Sequence, residues 1–115
     1  MNTGLFENIS NNDAVIKQVD VDSTTVTIVI ELWDNKMCEI RCSGVCGFKG
    51  NSGIGQDIGS IEFNRESDFF CEITKAEFGN MDSVPNSVQS MIICEAFDDT
   101  PILEVVAAKF EVVGE

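Results

Sequence analysis

Thr24-Thr25-Val26-Thr27-Ile28-Val29-Ile30-Glu31-Leu32-Trp33 is the most regular stretch of the 115-residue chain. Its β-branched residues alternate with a period of two, as in a strand with one apolar face. Val26, Ile28, Ile30 and Leu32 share that face, while Thr25, Thr27, Val29, Glu31 and Trp33 share the other. The next run, from Met37 to Cys46, repeats the pattern with Cys38, Ile40 and Cys42 on one side and Glu39, Arg41 and Ser43 on the other. Two adjacent alternating runs predict a hairpin. A two-residue turn at Asn35-Lys36 would mix the faces by setting Leu32 against Glu39. A three-residue loop, Asp34-Asn35-Lys36, keeps one face apolar and sets Leu32 opposite Cys38, Ile30 opposite Ile40 and Ile28 opposite Cys42. On the outer face this register places Glu31 directly opposite Glu39. Such a like-charge pair costs roughly 0.2–1 kcal/mol.

Outward from this hairpin the chain continues to read as β. Ala14 to Val21 is a further strand, preceded by Leu5, Phe6 and Ile9 in a short helix or packed arm within residues 1–13. Residues 44–59 hold six of the nine glycines and read as a flexible connection, or as a bulged strand end followed by a loop. Ile61 and Phe63 resume alternation, and a turn at Arg65-Glu66-Ser67 leads into Phe69, Cys71 and Ile73 as a second hairpin. Phe63 is then expected opposite Phe69, and Ile61 opposite Cys71. Phe78 to Ser87 reads as a loop with at most one helical turn. Val88 to Phe97 and Ile102 to Val112 are apolar on both faces, which places this last pair centrally and covered on both sides. The expected fold is a single β-rich domain over residues 1–115. Its architecture is an antiparallel β-sandwich or partly open barrel of six to seven strands, with room for one short helix. An α+β sheet is the alternative.

Charge is the strongest compositional signal. Twenty Asp and Glu face seven Lys and Arg, a net charge of −13, and the chain has no histidine. A negative field of this size disfavours nucleic acids and anionic membranes as partners and favours a basic protein or a cation. Solubility alone is the plainer explanation. No run approaches the roughly 20 apolar residues needed to cross a bilayer. Met1 to Asn8 lacks the features of a signal peptide, and five cysteines form no even framework, so a cytoplasmic location is expected. Asn8-Ile9-Ser10 is then a chance sequon.

Motifs for catalysis and cofactor binding fail one by one, so neither enzyme activity nor a cofactor is expected. Without histidine, a cysteine nucleophile lacks its usual base, and the negative surroundings oppose a thiolate. A carboxylate pair for glycoside hydrolysis would need a sugar cleft, which one Trp and no Tyr poorly supply. Cys38, Cys42 and Cys46 recur at every fourth position, but strand alternation with Ile40 accounts for Cys38 and Cys42 as core, without zinc. Gly53-Ile54-Gly55 is followed by a strand and no phosphate-binding lysine. Asp20-x-Asp22 and Asp98-Asp99 do not have the spacing of a calcium loop. Trp33 has two readings, interface anchor or covered core.

In being short, acidic, β-rich and without catalytic residues, the chain resembles the small bacterial immunity proteins of contact-dependent inhibition and related toxin systems. The closing stretch Phe97-Asp98-Asp99-Thr100-Pro101-Ile102-Leu103-Glu104-Val105 is similar to the ends of several such domains. The resemblance implies a basic toxin partner, often a nuclease, blocked by acidic side chains, and it carries no individual residue across. The candidate partner-binding residues are Glu31, Trp33, Asp34 and Glu39 on the first hairpin, with Asp98 and Asp99 as a second patch. A scaffold subunit that is acidic for solubility is the competing expectation.

Overall fold

The computed structural model describes residues 14–32, 36–50, 55–97 and 100–114. The described residues fold into six antiparallel strands and one α-helix. The strands are β1 (Val15–Val21), β2 (Thr25–Glu31), β3 (Met37–Gly50), β4 (Ile58–Asn64), β5 (Gln89–Glu95) and β6 (Pro101–Gly114). Helix α1 (Asp68–Phe78) and a 3-10 turn (Met81–Ser83) lie between β4 and β5. All six strands belong to one sheet in the order β1-β2-β3-β6-β5-β4. Two three-stranded meanders, β1-β2-β3 and β4-β5-β6, are therefore joined along the β3–β6 seam. Both seam strands are 14 residues long. At about 3.3 Å per residue each would span roughly 46 Å, close to the 44 Å longest dimension of the molecule.

The sheet curls without closing. β1 and β4 are its two edges, yet the segment leading into β4 reaches β1 at one corner. There Gly55 N–H donates to Ile16 O (2.7 Å), Ile16 N–H to Gln56 O (3.2 Å) and Ile58 N–H to Ala14 O (2.8 Å). A single bridge between Val15 and Asp57 marks the contact. The concave face holds the main core, which includes Ile16, Val26, Ile28, Ile30, Ile40, Met91, Ile93 and Val105. Phe63 and Phe110 meet there edge to face with centroids 5.3 Å apart.

Helix α1 covers part of the convex face. Phe70, Val84, Val88 and Val106 form a second core, flanked by Cys46, Phe69, Ile73 and Phe78. Complete burial of Phe70 contributes roughly 1.5–3 kcal/mol. Close approach of the helix depends on Gly47 in β3, where a Cβ would lie 2.8 Å from Ile73 Cγ1. Coverage on two faces explains why Ile102 to Ala107 is buried without a break, as the apolar pattern of this segment predicts.

Three sequence expectations are corrected. Parity across the first hairpin is as expected, but the register is two residues away: Ile30 pairs with Cys38, Ile28 with Ile40 and Val26 with Cys42. Leu32 N–H donates to Lys36 O (2.8 Å), so this pair brackets three residues, 33–35, one position earlier than the expected 34–36. Glu31 consequently faces Met37, and Glu39 faces Val29, so the two carboxylates are not opposed. The second hairpin does not exist. Its intended return strand is helix α1, and Ile61 and Phe63 pair with Ile93 and Met91 of β5.

For the glycine-rich segment 44–59 the bulged strand end, one of the two expected readings, is found, while residues 51–54 lie outside the described residues; the first strand is also found. Residues 44–50 are the bulged end of β3, with the irregularity between Val45 and Gly47, and Ala14 to Val21 does contain a strand. Residues 1–13, including Leu5, Phe6 and Ile9, lie outside the described residues.

Candidate functional site

Of the six residues singled out from the sequence, the structure describes Glu31 and Glu39; Trp33, Asp34, Asp98 and Asp99 lie outside the described residues. Both described carboxylates project from the convex side of the first meander, and both have cationic neighbours. Arg41 donates to Glu39 through Nε and Nη2, each 3.0 Å from Oε2. Lys17 Nζ lies 3.9 Å from Glu31 Oε1, carried there by the β-bulge in β1. These pairs are solvent-exposed and each is worth about 0–1 kcal/mol. Beside them, Val29, Met37 and Val113 line a shallow depression of about 240 Å³.

The excess negative charge lies elsewhere. Residues 15–50, which contain the first meander, carry five carboxylates and four cations; residues 55–114 carry twelve and three. Glu62, Glu66, Asp68, Glu72, Glu77 and Asp82 are all exposed around α1, against Arg65 and Lys75. None of the six closes an ion pair among the described residues. At the end of the molecule reached by the β5–β6 turn, Phe97 is 88% exposed. It stands next in sequence to Asp98 and Asp99. Sequence reasoning missed Phe97 because strand alternation counted it as the last residue of β5, whereas that strand ends at Glu95.

A third feature was also missed. Glu104 is the fourth residue of the central strand β6 and is only 5% exposed. A buried carboxylate is costly unless hydrogen-bonded. Here Ser67 Oγ donates to Glu104 Oε2 at 2.5 Å, and buried Ser90 donates to the same oxygen. Ser67 is also the N-cap of α1, accepting from Phe70 N–H at 3.0 Å. The cluster thus links β5, β6 and the helix start. Glu104 also borders a second depression of about 240 Å³ with Lys49, Gly50 and Leu103. Lys49 pairs with Glu104 across the β3–β6 seam, and its ammonium lies 4.9 Å from the Phe69 ring centroid.

Cys38, Cys42 and Cys94 are buried and Cys46 is half-buried. Cys38 and Cys42 are core residues, as expected. Burial pushes the Cys42 thiol from 9.0 up to about 12. Burial also raises Cys38, with Glu39 adding to it, and raises Cys46, with Glu77 adding to it. Cys71 is exposed on α1. No group of three Cys, Asp or Glu among the described residues is arranged to hold a metal ion. No described helix is long and apolar enough to cross a membrane.

Comparison of the chain with protein-family models, with curated proteins and with solved structures gave no match in any of the three.

Proposed function

We propose that this protein is an acidic binding protein that neutralises a basic protein partner. In its most specific form the reading is an immunity protein that occludes the cleft of a cognate toxin nuclease with carboxylates standing in for phosphates. The observation that supports it is the segregation of charge. A domain acidic only for solubility has no need to leave the first meander nearly balanced and concentrate around α1 exposed carboxylates that close no ion pair among the described residues. One-sided charge of this kind steers a basic partner and speeds its approach, while a few desolvated contacts set how long it stays. We assign first contact to the α1 face and an anchoring role to Phe97, because exposed aromatic residues are enriched at interfaces. Asp98 and Asp99, next to Phe97 in sequence, remain proposed contacts, and Glu31, Trp33, Asp34 and Glu39 form a second proposed surface.

The test is affinity capture from lysate of the source organism at low and high salt, with mass spectrometry of what is retained. The expected result is one basic protein, held in stoichiometric amount and released by salt. Combined reversal of Glu66, Glu72 and Glu77 to lysine is expected to slow its association by about tenfold or more. Reversing Glu31 and Glu39 reports on the second surface alone. Capture of a neutral or acidic assembly, insensitive to salt and to all five reversals, would overturn the reading in favour of a scaffold subunit.

A further inference from the structure

Glu104 and Lys49 face each other across the β3–β6 seam on the side of the sheet that carries α1. Opposite charges so placed would ordinarily meet. Among the described residues they close no ion pair; Lys49 instead lies over the ring of Phe69, 4.9 Å from its centroid. Glu104 is meanwhile fixed by Ser67 and Ser90, which share its Oε2. The depression that Glu104 borders also reaches Lys49 and Leu103. Phe69 does not line the hollow itself but lies beneath the Lys49 ammonium at its rim; a buried carboxylate and an aromatic face held by a displaceable lysine are the parts of a cation-recognition site, since aromatic faces attract ammonium and guanidinium groups alike.

We infer that this hollow receives a basic side chain, arginine or lysine, from a protein partner, and that Lys49 occupies the aromatic face until that side chain displaces it. The inference deepens the proposed function and rests on the partner being basic. Glu104 supplies the charge, Phe69 supplies the stacking face, and the two serines prevent the carboxylate from turning away. Lys49 acts as an internal competitor, so its removal strengthens binding instead of weakening it. Losing a lysine also favours a cation through long-range charge alone, so Lys49→Met is read together with Phe69→Leu, which leaves the charge unchanged and weakens binding only if the ring takes part.

The probe is Nα-acetyl-arginine amide, titrated into the isotope-labelled full chain and followed through the backbone amide resonances. Shifts centred on Gly50, Leu103 and Glu104 are expected. Lys49→Met should tighten the probe by about two- to five-fold, the range of an exposed cation–π contact, and Phe69→Leu should weaken it by a similar factor. Glu104→Gln should abolish the response; should that variant fail to fold, the Lys49 and Phe69 variants still decide the matter. Shifts spread over the α1 carboxylates and indifferent to Lys49→Met and Phe69→Leu would overturn the inference. Salt-dependent capture of a basic protein, retained in that event, would show that only this pocket and not the wider reading had failed.

Discussion

Cys42 shows how strongly a single side chain can report its surroundings. It is 1% exposed on the concave face, with its thiol raised to about 12. A proton held more tightly in the folded chain than in the unfolded one makes stability fall as pH rises. The contribution is intact below about pH 9 and is lost towards pH 12 at up to ~1.4 kcal/mol per pH unit. Urea titrations across this window should show a shallower decline in Cys42→Ala than in the parent. Iodoacetamide should modify exposed Cys71 before the buried Cys38, Cys42 and Cys94. Gly59 carries a different constraint. A Cβ there would come within 2.5 Å of Glu95 O and 2.7 Å of Ala96 Cα, and backbone cannot step aside as a side-chain tip can. Gly59→Ala should therefore cost about 1–3 kcal/mol in chemical denaturation. Residue-level reading of the sequence recovered the buried role of Cys38 and Cys42 because alternation alone dictates it. Glu104 was beyond its reach, since its burial is tolerable only through two serines brought in from distant segments.

Helix α1 is the element that sequence alternation misassigned, for an identifiable reason. Phe69, Cys71 and Ile73 alternate like a strand, but Phe70 and Thr74 are the positions that turn fully inward, four residues apart. Thr74 conceals the helical stripe because it is polar; its hydroxyl donates to Phe70 O at 2.7 Å and so enters the core satisfied. End signals that the strand reading passed over are nonetheless present: Ser67 as N-cap, Asp68 in the first turn, Lys75 in the last and Gly79 closing the end with φ of 89°. Strand β5 and strand β6 were correctly read because runs apolar on both faces have few other homes. The hairpin register was not, because parity fixes which face a residue takes but leaves shifts of two residues undecided. Ser67 joins the cap to the Glu104 cluster, so Ser67→Ala should cost on the order of 1–3 kcal/mol, a lost cap plus a weakened carboxylate partner. Ser67→Asp separates the two roles. Aspartate caps a helix as well as serine does, yet here it sets a second negative charge against Glu104, so it should be less stable than Ser67→Ala in the same urea measurement.

Across the whole molecule, a net charge of −13 works against compaction, and screening relieves it. Raising sodium chloride from 10 to 500 mM should lift the melting temperature by about 3–6 °C, equivalent to ~1 kcal/mol for a domain of this size. A flat response would mean that the carboxylates around α1 are too well solvated to repel one another. The strand order adds a geometric consequence. Val15 stands beside Glu31, Glu31 beside Met37, and neighbouring Cys38 beside Gly114. The outermost described strands of the chain therefore start and finish at one end of the sheet, about 14 Å apart along it. Phe97 and the Lys49–Glu104 hollow sit at the other end. A label, bead or fusion attached directly after β6 would hold the molecule by its base and present that far tip to solution, while crowding the neighbouring ends of β2 and β3. Immobilisation thus works as a geometric filter: a partner that docks on the tip should bind the tethered protein as it binds the free one, and a partner that docks beside Glu31 should not.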